Sequence, residues 1–173
     1  MKKFTLLLAA ITCFTVSSLH AQAFGEGDRN ITATVGFGGS VGIPVAISYE
    51  QCVYSFNESS SIGLGGYAAY SNYKDNFATA TYNYSNLYLA AEGNFHYSSV
   101  SKFDFYAGLR LGYRIVGGNW SDDTIDIDYD ISDSNFVYNG HIGINYYLSD
   151  NWAFNTEFGA GLAVISVGTT YKF

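Results

Sequence analysis

From Phe103 to Ile115 the chain alternates without a break: Phe103, Phe105, Ala107, Leu109, Leu111, Tyr113 and Ile115 fall on one face, Asp104, Tyr106, Gly108, Arg110, Gly112 and Arg114 on the other. A period of two marks a β-strand with chemically distinct faces. The pattern recurs over residues 87–97 and 136–148, and more weakly over 30–38, 45–54, 61–70, 152–159 and 163–173. Eight strands are predicted, with no sustained helical spacing after the first two dozen residues. Short connections at 57–58, 98–101 and 149–151 alternate with long ones at 72–80 and 117–135, while those near Ser40 and Ala160 are short but belong by position to the second set.

The two faces decide which solvent the outside meets. A soluble barrel buries its apolar face and carries Lys and Glu outside. Here the second face is Gly, Asn, Ser, Thr, Tyr and a few charges, and Lys74, Lys102 and Lys172 are expected at or beyond strand ends. The pattern is that of an inside-out barrel. A bilayer admits strands only as a closed barrel with apolar residues outward, a polar lumen and aromatic rims. Segments of about nine to thirteen residues suit tilted spanning strands, which need roughly 9 to 11.

Turn placement tests the rim. With the 98–101 turn centred on residue 100, Phe95 faces Phe105, Tyr97 faces Phe103 and His96 faces Asp104, with Glu92 diagonal to Arg110. With the next short turn centred on Asp150, Leu148 faces Trp152 and Tyr146 faces Phe154. Aromatics then collect at the short-turn end, where interfacial rings belong. Tyr73, Tyr82 and Tyr84 are expected to serve the opposite rim.

Composition sharpens this picture. Only 13% of residues are charged, against 48% apolar and 18% aromatic, with one proline. Such a chain folds, and its surface is too poor in charge to face water throughout. The N-terminus reads as a signal peptide: Lys2 and Lys3, an apolar run from Phe4 to Val16 too short to span a bilayer, then small residues, with cleavage expected after Ala21 or Ala23. Residues 24–173 would form the single domain. Its six Lys+Arg against fifteen Asp+Glu give −9, which excludes a nucleic-acid partner. Cys52 is the one cysteine after the leader, so no internal disulfide forms; parity puts it on the lumen face.

The chain ends Ser166-Val167-Gly168-Thr169-Thr170-Tyr171-Lys172-Phe173. With a signal peptide and seven preceding strands, this ending resembles that of small outer-membrane β-barrels of the OmpA, OmpX and opacity type, across residues 24–173. The resemblance implies an eight-stranded antiparallel up-and-down transmembrane barrel, a monomer in the outer membrane, with short turns and both termini in the periplasm. It further implies recognition of Gly168, Tyr171 and Phe173 by the barrel-assembly machinery, and contact with outer-membrane lipid and lipopolysaccharide. Nothing resembles a periplasmic peptidoglycan-binding domain.

The lumen face collects Glu50, Glu92, His96, Asp104, Arg110, Arg114, His141 and Glu157. The leading reading is a polar network that fills the barrel, since eight strands enclose room for side chains only and buried charges need partners. Conduction, with a cation preference, is the alternative. A lipid-modifying enzyme is the least favoured: His141 and Glu157 lie near one another on neighbouring strands, but no serine is placed to act as nucleophile. A soluble lipocalin-like binder shares the strand count and would remain in the periplasm.

The second candidate is the acidic connection, with Asp122, Asp123, Asp126, Asp128, Asp130 and Asp133. Asp126, Asp128 and Asp130 match the opening of a calcium loop, but Ile131 stands where glycine is required and Val137 where glutamate is. No metal or cofactor is expected. Alternation of Asp with Ile and Tyr instead suggests an extended strand rising beyond the membrane, able to meet an unidentified surface ligand. The expected function is non-enzymatic: envelope structure and cell-surface interaction through the external loops.

Overall fold

The structure, a computed structural model, describes residues 24–77, 80–100, 102–122 and 128–173. The proposed leader at 1–23 lies outside them. Eight strands follow in chain order: β1 (Arg29–Phe37), β2 (Val45–Asn57), β3 (Ser60–Phe77), β4 (Ala80–Val100), β5 (Phe103–Asp122), β6 (Asp128–Tyr147), β7 (Trp152–Gly159) and β8 (Ile165–Lys172). Each pairs antiparallel with the next, and β8 pairs with β1 to close the barrel. The seam is finished by the ends of the chain, where Arg29 and Phe173 exchange both backbone hydrogen bonds, at 3.0 and 2.9 Å. Closure leaves no strand edge within the barrel wall, which is what makes a β-structure tolerable in lipid.

The faces sort by solvent. Ile47, Leu64, Leu89, Leu109, Leu111, Ile142 and Phe158 are exposed around the outside, while Glu50, Glu92, Asn94, Asp104, Arg110, His141 and Asn145 are buried within. At the short-turn end the exposed side chains become aromatic. Phe103 packs on Tyr146 at 5.0 Å between ring centroids, Trp152 on Tyr171 at 4.9 Å and Tyr54 on Phe56 at 5.0 Å. The fold is therefore a transmembrane barrel, an apolar band with a polar interior.

Two expectations of register fare differently. Tyr146 does face Phe154, as a turn centred on Asp150 requires. The β4–β5 turn is displaced: Tyr97 pairs with Phe105, Phe95 with Ala107 and His96 with Tyr106, two residues from the expected alignment. The cause is an irregularity between Tyr97 and Val100, after which Val100 pairs with Phe103 and Lys102 takes φ +76°. A shift of two residues moves the partner by a whole period and so leaves every side chain on its face.

The long connections are the larger correction. Residues 72–77 pair with 80–85 as β3 and β4 continue, and 117–121 pair with 128–132 as β5 and β6 continue. β4, β5 and β6 reach 21, 20 and 20 residues, against 8 for β7 and for β8. β2 leaves β3 at Tyr70 and β7 leaves β6 at His141. The four long strands thus continue as a sheet about 25 Å beyond the shorter wall, at roughly 3.3 Å per residue. Lys74 is inside this ladder, opposite Asn83, not at a strand end. Water on both faces removes the need for apolar alternation there, which is why polar sequence resembled loop.

Candidate functional site

The lumen is built in three tiers. Nearest the short turns, His96 lies between two carboxylates: Nδ1 is 2.9 Å from Asp104 Oδ2 and Nε2 is 3.0 Å from Glu50 Oε1. Only a ring with both nitrogens protonated donates to both. Asp104 also accepts from Ser98 Oγ at 3.0 Å and from Asn145 Nδ2 at 3.1 Å. Glu50 lies opposite Gly65, and its carboxylate reaches over Gly63, where a Cβ would fall on the carboxylate itself.

The middle tier centres on Arg110. Its Nε donates to Glu92 Oε2 at 2.9 Å, and Nη1 and Nη2 donate to the two oxygens of Glu157 at 2.6 and 2.8 Å. Its Cζ stands 3.8 Å above the Tyr67 ring. Forked donation to one carboxylate and stacking on an aromatic face are what a guanidinium does and an ammonium cannot. Tyr106 joins this tier to the first: its hydroxyl donates to Glu157 Oε2 at 3.1 Å and accepts from Asn155 Nδ2 at 2.9 Å, while its ring stacks on His96. Gly143 leaves the space that the Tyr106 ring fills.

Above these, Arg114 donates through Nε and Nη2 to Asn86 Oδ1 at 2.9 and 2.6 Å, and Asn139 Nδ2 donates to Tyr88 Oη at 3.1 Å. The β1–β2 and β7–β8 connections then fold inward, packing Val41 and Leu162 with Ala69 and Tyr88 as an apolar cap. Gly42, at φ +82°, makes the turn and lies too close to Asn72 O for a side chain. Between the tiers the cavity is about 20 Å³, lined by Asn30, Glu50, Glu92, Arg110, Asn155 and Glu157 among others, room for about one water.

All eight polar residues singled out in the sequence thus lie inside, six of them in two groups. Glu50, His96 and Asp104 form one, Glu92, Arg110 and Glu157 the other. His141 joins neither; its Nε2 is 2.7 Å from Asn94 Oδ1. Arg114 stands apart with Asn86. The Glu92–Arg110 pair is directly opposed, not diagonal, and His96 reaches Asp104 from two residues off register. Ser98 bonds Asp104, not a ring nitrogen. Sequence reasoning missed Tyr67, Tyr106, Asn94, Asn145 and Asn155, although their alternation with outward residues was the available signal.

On the raised sheet, Asp122, Asp128 and Asp130 are placed by backbone register, opposite Ala80, Ser121 and Asn119. Asp133 is exposed, its Oδ2 accepting from Asn135 Nδ2 at 2.8 Å. Asp123 and Asp126 lie outside the described residues. Tyr73 and Tyr84 pair across the β3–β4 ladder on the face that continues Ser71 and Asn86, both buried in the lumen. They extend the inner wall and are not part of the lipid-facing rim, where Tyr70, Tyr113 and Phe136 are exposed instead. At the chain end, Tyr171 and Phe173 stack outward at 6.0 Å, and Gly168 sits against Ala33 O where no Cβ would fit.

No family model matches the chain, and no curated protein matches it in sequence. Solved structures match in fold. The attachment invasion locus protein Ail of Yersinia pestis, in complex with the heparin analogue sucrose octasulfate, aligns with TM-score 0.53 and 15% identity over 86% of this chain and 99% of that one. The N-terminal β-barrel domain of Pseudomonas aeruginosa OprF gives TM-score 0.54 and 13% identity over 86% and 99%. A de novo designed transmembrane β-barrel gives 0.53 and 15% over 86% and 97%. The chain has the fold of the small outer-membrane barrels.

Proposed function

We propose that this protein resides in the outer membrane as a filled, non-conducting and non-enzymatic barrel, and that it acts at the cell surface through the sheet raised on β3–β6. The observation that carries this reading is the contrast between the two ends of the site. The lumen is spent on internal pairing around a cavity of about 20 Å³, whereas β6 from Asp128 to Asn139 has a strand neighbour on one side only among the described residues. A filled lumen offers no path, and an unpaired acidic edge offers a contact surface.

The acidic hairpin sets the chemistry of the partner. Six carboxylates between Asp122 and Asp133 repel polyanions and attract basic surfaces. This differs from Ail, solved with a polysulfated ligand. Membrane lipid and lipopolysaccharide surround the apolar band, and β8, ending in Tyr171 and Phe173, is offered to the assembly machinery.

The register supplies a clean test. Gly118 pairs with Ile131, so residues 119–130 can be replaced by a two-residue turn without disturbing the ladder below. The shortened protein is expected to reach the membrane fraction and keep its heat-dependent gel mobility. Binding of a fluorescent lysine-rich peptide to intact cells should drop about tenfold, as expected for a charge-steered contact. Undiminished peptide binding, or single-channel steps from the wild-type protein in planar bilayers, would refute the reading.

A further inference from the structure

The short-turn mouth of the barrel is occupied by residues that belong to no strand. Residues 24–28 turn back on themselves: Asp28 N donates to Gly25 O at 3.0 Å, Gly25 N donates to Asp28 Oδ2 at 3.0 Å, and Gly27 takes φ +92°. This turn carries Phe24 inside, 2% exposed, its ring centroid 4.5 Å from that of His96. Ser61 Oγ donates to Phe24 O at 2.6 Å. Beyond the turn the chain is pinned, with Cys52 N donating to Asp28 O at 3.0 Å and Lys172 Nζ 3.6 Å from Asp28 Oδ2.

We infer that Phe24 is a releasable stopper: the segment ahead of β1 closes the inner mouth, and the lumen opens toward the short-turn side when Phe24 leaves while the strands stay paired. The wall is closed by eight ladders, whereas the stopper adds no ladder: among the described residues its ring meets that of His96 and its carbonyl accepts from Ser61 Oγ. Openings occur where few contacts resist them. The group beneath it is the one for which water matters most. Glu50, His96 and Asp104 are charged partners whose attraction depends on exclusion of solvent, and Phe24 provides that exclusion. The opposite end stays shut under Val41 and Leu162. Release of Phe24 therefore exposes the first tier without creating a through-path, and conductance is the wrong measurement for it.

The protein contains its own reporter. Cys52 is buried on the lumen face, opposite Gly63 and one same-face position from Ser61, and it is a free thiol. It is the sole cysteine after residue 23. Membrane-extracted protein is treated with a charged, water-soluble methanethiosulfonate, and modification of the Cys52 peptide is followed by mass spectrometry. Phe24→Ala should react at least about tenfold faster than wild type, because modification of a buried thiol tracks the open population. Phe24→Leu, which keeps an apolar cap, should stay near the wild-type rate. Heat-dependent gel mobility establishes that each barrel is folded, and equal rates in urea establish equal thiol chemistry. Equal rates for folded wild type and folded Phe24→Ala overturn the proposal. If Phe24→Ala does not insert, Ser61→Ala removes only the hydrogen bond to Phe24 O; a smaller acceleration supports the stopper, and none overturns it.

Discussion

Arg110 is the side chain with most to lose by substitution. It pairs with both Glu92 and Glu157 in the filled lumen, so Arg110→Met leaves two buried carboxylates without their cation. Breaking a buried pair from one side costs about 3–5 kcal/mol, and that loss is expected in urea unfolding followed by tryptophan fluorescence. Glu157→Gln keeps the shape and one acceptor, and should cost about 1–3 kcal/mol. An equal effect from both would mean that charge is not what the pair contributes. Steric dependence is tested at glycine. Gly143→Ala pushes a Cβ into the Tyr106 ring and should destabilise by about 1–3 kcal/mol. Gly66→Ala, whose Cβ would have Ala90 O at 3.8 Å as its nearest neighbour, should change little. At this scale the sequence was informative by type and face: parity alone put Arg110 and Glu157 on one wall. Their forked contact depends on two strands that are not neighbours, β5 and β7, and no local pattern encodes a distance across a barrel.

Among the elements, the β4–β5 connection shows where strand reading loses accuracy. The strands are plain in the alternation, but the register depends on how many residues the turn absorbs, and the irregularity between Tyr97 and Val100, with Lys102 at φ +76° in the turn, moves it by two. A left-handed conformation costs a β-branched residue most. Lys102→Val should therefore be about 1–2 kcal/mol less stable than Lys102→Gly in the same unfolding assay. Indistinguishable variants would show that the turn relaxes to another conformation. The raised ladders were hidden for another reason. Alternation is imposed by a difference between the two faces, and above the bilayer both faces are wet. Asn72, Lys74 and Asn76 can therefore pair in a strand while reading as loop.

For the whole molecule, the outward surface decides stability by depth. Leu109 is 64% exposed on the outer wall, on the rung next to the Glu92–Arg110 pair, and Tyr146 lies in the aromatic rim beside Phe103. Arginine on a lipid face costs about 2–4 kcal/mol at mid-depth and about 0–1 near an interface. Leu109→Arg should therefore destabilise the protein in lipid vesicles far more than Tyr146→Arg. A reversed order would place the membrane elsewhere on the barrel.

What the chain by itself determined was the solvent of each face. Period-two alternation, charge confined to one side and aromatics at the turns follow from a bilayer outside and side chains inside, and they lead to eight closed strands without any knowledge of distance. Only the tertiary structure decided which lumen groups meet, how far β3–β6 rise, and that Val41 and Leu162 cover one end while Phe24 covers the other. Those outcomes depend on contacts across the barrel and on turn geometry. They join residues far apart in the chain, Phe24 with His96 and Thr32 with Thr170 among them, and a periodicity has no means of expressing such a pairing.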